Sequence, residues 1–249
     1  MALKITYSDH VFLIRGNHED AQVNRYMGFG QECRERLNED IDAPDSVFNT
    51  INTFFENLPL AAVVGDSKGP NKIFCCHGGI GTNSMKLEDI KSLKRPLRVS
   101  FEQQTAEQQR VVDLLWSDPC DDEETRGLVP NTIRDPTGQV GALKKFGADM
   151  VEKFLKTNGF SMIIRSHQHL MRGEDRFAQG QLMTVSSCTD YCGVTGNSAG
   201  FLTVQKRLVI SPKIIQPSPA SKAVWRDLPD DPATPAILKR APTPPRHSS

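Results

Sequence analysis

Three short stretches, far apart in the chain, end an apolar run in imidazole or amide groups: LIRGNHE at residues 13–19, FCCHGG at 74–79 and IIRSHQH at 163–169. The donors they deliver are Asn17, His18, His77 and His167. Imidazole nitrogen together with amide oxygen suits Mn, Fe or Zn better than Mg or Ca, and no thiolates stand at structural-zinc spacing. A single histidine after a strand is ordinarily a satisfied turn or core residue. Three strand ends, two of them flanked by Gly16 and by Gly78 and Gly79, make a shared metal site the expectation. Glycine there supplies φ > 0 turns or close backbone approach. His169 falls two residues past His167, on the same side of an extended strand, and without glycines of its own is read as structural. His10 and His247 sit in polar terminal stretches and are read as incidental.

The elements that must position these groups follow from periodicity. VFLIR (11–15) is read as a buried strand, with a short helix between Gly16 and Met27. Glu19 and Asp20 are assigned to the positive end of that helix rather than to metal. Helical spacing of Val47, Ile51, Phe54, Phe55 and Leu58 follows an N-cap at Asp45 or Ser46 and ends at Pro59. LAAVV (60–64) and KIFCC (72–76), separated by GDSKGPN, predict a β-hairpin. Helices are predicted over 106–116 and 148–159, the second closed by Asn158-Gly159. The segments at 182–187, 199–205 and 208–215 predict an antiparallel meander. Strand ends gathered on one edge of an α/β or sandwich core would bring the donors together.

Composition narrows the classes. The 249 residues carry 30 basic and 30 acidic side chains, with no Lys/Arg stripe interleaved with aromatics, so no nucleic-acid footprint is present. No apolar run approaches the ~20 residues that span a bilayer, and MALKITYSDH lacks the features of a signal peptide, which predicts no membrane partner and an intracellular, cytoplasmic or nuclear location. Six cysteines, at 33, 75, 76, 120, 188 and 192, form no C-x-x-C and are read as mostly buried, inert thiols. Residues 1–216 read as one domain. Residues 217–249, interrupted by eight prolines, read as a largely disordered tail.

LIRGNHE, CCHGGIG, LLWSDP, RSHQ and DYCG, in that order and at these separations, resemble the metal-dependent serine/threonine phosphatases of the phosphoprotein phosphatase family. HGGIG, SLKRPL, DLLWSDPCDDEETRGLVPN and WRDLPDDPATPAILKR are most similar to the Kelch-repeat branch of plants and protists, although the sequence carries no Kelch repeat. The resemblance implies a metallophosphoesterase-like four-layer β-sandwich flanked by helices, in an α/β or α+β class. It implies a dinuclear Mn/Fe/Zn centre in which Asn17, His77 and His167 hold one metal, with His18 protonating the leaving alkoxide. Arg134, in NTIRDPTG, matches the phosphate-binding arginine, with Arg126 in ETRG as its rival. Tyr191 matches the tyrosine of the substrate groove, within SSCTDYC where the family commonly has SAPNYC or SATNYC. Phosphoserine and phosphothreonine proteins are the implied substrates, with regulatory proteins as further partners.

The family's GDxHG and GDxxDRG motifs have no counterpart before residue 17, and GDSKG at 65–69 lacks the histidine. The chain is therefore expected to be incomplete at its N-terminus, with one weak metal half-site, impaired turnover, and uncovered apolar faces that favour aggregation or a partner. A catalytically inactive interaction module is the alternative. A structural metal-binding domain is disfavoured by the missing thiolates. Ser218-Pro219, Thr234-Pro235 and Thr243-Pro244 are proline-directed phosphorylation candidates in the tail, against the plainer reading of a solvated linker.

Overall fold

The parallel alignment of three strands sets the direction in which the chain delivers its loops. The computed structural model describes residues 1–65, 69, 71–81, 85–101, 105–135 and 141–218. Most of the GDSKGPN turn, the tail with Thr234, Thr243 and His247, and Pro219 lie outside the described residues.

In chain order the elements are α1 (Ala2–Thr6), α2 (Ala21–Asn24), α3 (Phe29–Leu37), α4 (Val47–Glu56), β1 (Ala61–Gly65), β2 (Lys72–Cys76), α5 (Leu87–Lys91), α6 (Ala106–Trp116), β3 (Asp118–Pro119), β4 (Leu128–Pro130), β5 (Lys144–Phe146), α7 (Ala148–Asn158), β6 (Met162–Arg165), β7 (Glu174–Phe177), β8 (Leu182–Val185), β9 (Ala199–Val204) and β10 (Ile210–Ile215). Five strands form a mixed sheet in the order β1-β2-β6-β8-β7, and smaller sheets pair β3-β5-β4 and β10-β9. The class is mixed α/β, as expected.

Local chemistry explains the helices. Ser46, not Asp45, caps α4, its Oγ accepting from the Asn49 N–H at 3.1 Å. Thr105 and Gln108 form a reciprocal capping box on α6. Gly159, at φ +66°, ends α7 in the left-handed conformation that glycine adopts without penalty. The main core packs one face of the large sheet against α6 and α7: Phe74, Phe154 and Phe160 pack ring to ring, beside Leu114, Leu115, Phe146, Ile163 and Leu182.

The predicted hairpin is present, with Ala61 opposite Cys76 and Gly65 opposite Lys72. Two strand predictions are corrected. Residues 11–15 form no strand: the Arg15 N–H goes to the Pro59 carbonyl, Phe12 is 74% exposed, and only the segment's end is buried. Apolarity there reports burial of Arg15 to Asn17 rather than pairing. The meander is also split. β8 lies inside the large sheet, parallel to β6 and antiparallel to β7, while β9 and β10 pair only with each other. The strands missed were the short β3, β4 and β5 and, in the large sheet, β7, whose sequence EDRF has no apolar alternation to reveal it. The cysteine reading holds for Cys33, Cys76 and Cys120, whereas Cys188 and Cys192 are exposed. Burial pushes the Cys75 and Cys76 thiols up to about 11 and about 12.

Candidate active site

β2, β6 and β8 run parallel as neighbours, so their C-terminal ends open on one edge of the sheet. His77 follows β2, His167 follows β6, and the 186–191 segment follows β8. The Ser166 N–H donates to the His77 carbonyl at 3.1 Å, carrying the β2–β6 register one step past the strands. Asn17 and His18 arrive from the 11–20 segment. Arg15 anchors it from beneath: Nη1 donates to the Leu97 carbonyl at 2.6 Å, Nε to the Glu19 carbonyl at 2.7 Å, and Nη2 to Asp20 at 3.3 Å. Glu19 turns its carboxylate back onto the Gly16 N–H, and Asp20 caps α2 through the Gln22 N–H. Neither carboxylate of the RGNHED stretch is thus directed at the donors.

The donors converge. His77 Nε2 lies 2.8 Å from Asn17 Oδ1 and 3.1 Å from His167 Nδ1, and the two rings meet edge to face at 4.9 Å. Burial first, and then the Arg165 charge, lowers the His77 pKa to about 4. Burial and then Arg134 lower that of His167 to about 2. Both rings are therefore neutral at pH 7, the form that binds metal. His167 Nε2 is buried without a partner among the described residues, and Trp116 stands edge-on to its ring at 5.7 Å. His167 itself sits at φ +67°, an uncommon conformation for a non-glycine residue and one that clusters at functional sites.

A cavity of about 350 Å³ opens over these groups. Asn17, His18, His77, His167, Arg134 and Tyr191 all line it, so the structure brings together all six residues singled out in the sequence. Arg126 lies on a separate depression with Ala148 and Glu152. His169 is corrected: it lines the same cavity, stacked on Tyr191 with ring centroids 5.3 Å apart. Tyr191 is held by its loop, its N–H donating to Oδ1 of the fully buried Asn197 at 2.7 Å.

Two further residues organise the site. Arg165, fully buried, donates to the Gly78 carbonyl, to Gln168 Oε1 at 2.7 Å, to the Ser117 carbonyl at 2.9 Å and to Asp118 Oδ1 at 2.8 Å. Asp118 Oδ2 accepts from Arg134 Nε at 3.0 Å and from Asn131 Nδ2 at 2.9 Å. Arg134 Nη2 then donates to the carbonyl of the strained His167 at 2.9 Å. One buried carboxylate thus fixes Arg134, and Arg134 fixes a donor loop. The motifs WSDP and RSHQ contain both residues, yet nothing in either stretch alone shows that a carboxylate and a guanidinium 47 positions apart share a hydrogen bond.

The glycines act through space rather than through φ. Gly16, Gly78 and Gly79 are absent from the positive-φ positions. A Cβ on Gly78 would lie 2.6 Å from the Leu115 carbonyl carbon and from the Trp116 nitrogen, both backbone atoms that cannot swing aside. Gly78→Ala is expected to cost about 1–3 kcal/mol, the range of an overpacked core. Urea melts of the two proteins measure it, and an unchanged midpoint would contradict the close approach.

The residues fit a divalent cation, with three convergent donors and both imidazoles neutral. Among the described residues no cluster of three or more His, Cys, Asp or Glu side chains converges, so the donor set carries no charge of its own.

Compared with known proteins, residues 1–171 match the calcineurin-like phosphoesterase family. The chain is 41% identical over 221 residues to serine/threonine-protein phosphatase BSL2 of Arabidopsis thaliana, a match that covers 88% of this chain and 20% of that protein. It therefore spans about a fifth of that relative's length. Among solved structures, a protein serine/threonine phosphatase from Saccharomyces cerevisiae, with similarity to human phosphatase PP5, matches at a TM-score of 0.69 and 29% identity, covering 88% of this chain and 64% of that one. On the family match, which takes in more than half of its residues, the chain belongs to the calcineurin-like phosphoesterase family.

Proposed function

We propose that the site hydrolyses the phosphomonoesters of phosphoserine and phosphothreonine in proteins. The observation that supports this best is that Asn17 Oδ1 and His167 Nδ1 each lie within 3.1 Å of His77 Nε2, on the wall of the cavity that His18 and Arg134 also line. Those three donors would hold a divalent Mn, Fe or Zn ion, which supplies Lewis acidity toward a phosphoryl oxygen. Arg134, held by Asp118, offers guanidinium N–H groups to phosphoryl oxygens. A water forms the new bond to phosphorus as the ester bond breaks, and His18, exposed on the cavity, gives a ring proton to the departing serine or threonine oxygen, which leaves as a neutral alcohol. Tyr191, braced by His169, presents a ring to the peptide around the phosphoresidue. Because all three donors are neutral, the metal is held weakly by this chain alone. No helix among the described residues is long and apolar enough to cross a membrane.

A second reading rests on that same neutral donor set: an interaction module that binds phosphopeptides without turning them over. Phosphate release from a phosphothreonine peptide with saturating Mn²⁺ separates the two. Hydrolysis is supported by release that falls about 10²–10⁴-fold in His18→Ala. Release no greater than that of the variant, with the peptide still bound, supports the module.

A further inference from the structure

The large sheet ends in two very different strands. At one edge β7 carries Glu174, Asp175 and Arg176 in four residues, the charged guard that keeps an edge from pairing with other chains. At the other, β1 reads AAVVG, with no charge and no proline, and among the described residues pairs only with β2. Val63 and Val64 are 44% and 40% exposed there.

Beside β1 lies an apolar cavity of about 330 Å³. Five consecutive residues, 59–63, line it. Side chains alternate between the faces of a strand, so an unbroken run in the lining places the cavity along the backbone edge itself. Buried Leu60 and Phe74 and half-buried Ile90, Leu93 and Leu97 supply its apolar surface. The charged residues among its lining are Lys91 and Arg95, both exposed cations. Lys91 is engaged only at 3.8 Å, by the exposed Glu88, and Arg95 Nη1 donates to the Asn57 carbonyl.

From the unguarded edge, the apolar trough and its cationic rim, we infer that β1 is a docking site for an extended segment of a partner protein. The segment adds as a strand to β1, places alternate apolar side chains in the trough, and carries acidic residues at the end that meets Lys91 and Arg95. Main-chain hydrogen bonds to the edge hold it, and the trough and rim select its sequence. A second copy of this chain is a poorer occupant, because its β1 brings no carboxylate and its rim repeats the same cations. The inference stands independently of the phosphatase reading.

The probe is a fluorescein-labelled octapeptide of alternating valine and threonine with glutamates at its ends, compared by fluorescence anisotropy with a lysine-ended counterpart. Tighter binding of the acidic peptide is expected, by about tenfold, and its loss by a similar factor in Lys91→Glu/Arg95→Glu. Both substitutions are on the surface, and a thermal melt verifies the fold. Amide hydrogen exchange should slow across residues 61–65 when the acidic peptide is added. Equal affinity for the two peptides, or exchange at β1 that does not change, overturns the proposal. A concentration-dependent dimer that protects β1 and excludes the peptide also overturns it, by assigning the edge to a second copy.

Discussion

Asp118→Ala should destabilise the chain by about 3–5 kcal/mol, the range for breaking a buried ion pair from one side. Asp118 is 3% exposed and Arg165 1%, so removal of the carboxylate leaves a guanidinium in the interior with no anion. Arginine does not escape by losing its proton. Its bonds to Gly78, Ser117 and Gln168 satisfy its donors without offsetting its charge. For a domain of this size the loss corresponds to a fall in Tm of roughly 6–20 °C. A Tm within about 2 °C of the wild type would show that Arg165 needs no counter-ion.

The same substitution has a signature in acid. Burial by itself would raise the Asp118 pKa, but the charge of Arg165, with Arg134 beside it, outweighs it and holds the carboxyl below its ordinary value. A depressed carboxylate contributes stability that is fully present above the unfolded value, about 3.9, and is lost as pH falls through the folded one. Stability of the wild type should therefore drop as the pH falls below about 4 with a contribution that Asp118→Ala lacks. Urea melts across that window check it: the difference between the two proteins narrows as the pH falls. A difference that stays constant with pH would show that packing, not charge, accounts for the loss. Asp118→Asn separates the two in another way, since it keeps the shape and an acceptor while removing the charge.

The contrast between Asp118 and the histidines shows what a sequence makes legible. Asn17, His18, His77 and His167 each interrupt an apolar run, and a polar group at the end of a buried segment stands out against its neighbours. Asp118 follows the apolar helix α6 but is followed by Pro119 and a run of acidic residues, so it reads as one carboxylate among several. Arg165, within MIIR, reads as the solvated end of a strand, yet its whole side chain is buried. Their significance lies in a pairing that only the parallel packing of β2 against β6, with α6 behind them, brings about. His169 was hidden for a related reason. Its alternation with His167 holds only if the strand continues, and the chain leaves β6 at Arg165 and turns through the positive φ of His167. That turn carries His169 to Tyr191 instead of into the core.

Fold legibility divides along the same line. Helices with a cap and one apolar face, such as α4 and α7, were predicted nearly to their ends, because the signals lie within the element. The small β3-β5-β4 sheet and the place of β8 depend on partners distant in sequence, and VFLIR shows the converse error, a strand composition with no strand beside it. Hydrophobic periodicity reports that a residue is buried. It does not report against what.

His77→Ala should abolish stabilisation by divalent metal while leaving the metal-free chain folded. His77 is the middle donor, contacting both Asn17 and His167, whereas no direct contact joins those two among the described residues. The neutral His77 ring has a single Nε2 to share between Asn17 and His167, so it makes one full hydrogen bond at a time, worth about 1 kcal/mol, and its truncation is far milder than that of Asp118. For metal the ranking reverses. A ligand that binds only the native state stabilises it by RT ln(1 + [L]/Kd), about 2.7 kcal/mol at one hundred times Kd. Wild type titrated with Mn²⁺ or Zn²⁺ should therefore gain roughly 5–10 °C in Tm, and His77→Ala should gain nothing over the same range. This readout needs no substrate and no turnover, so it tests the donor set apart from the chemistry. Equal gains in both proteins would place the metal elsewhere on the chain. If neither protein gained, the convergence of Asn17, His77 and His167 would be a hydrogen-bonded cluster, and the interaction-module reading would be favoured. If only the wild type gained, the 11–20 segment and the loops after β2 and β6 would be tied to one metal through the ring that joins them.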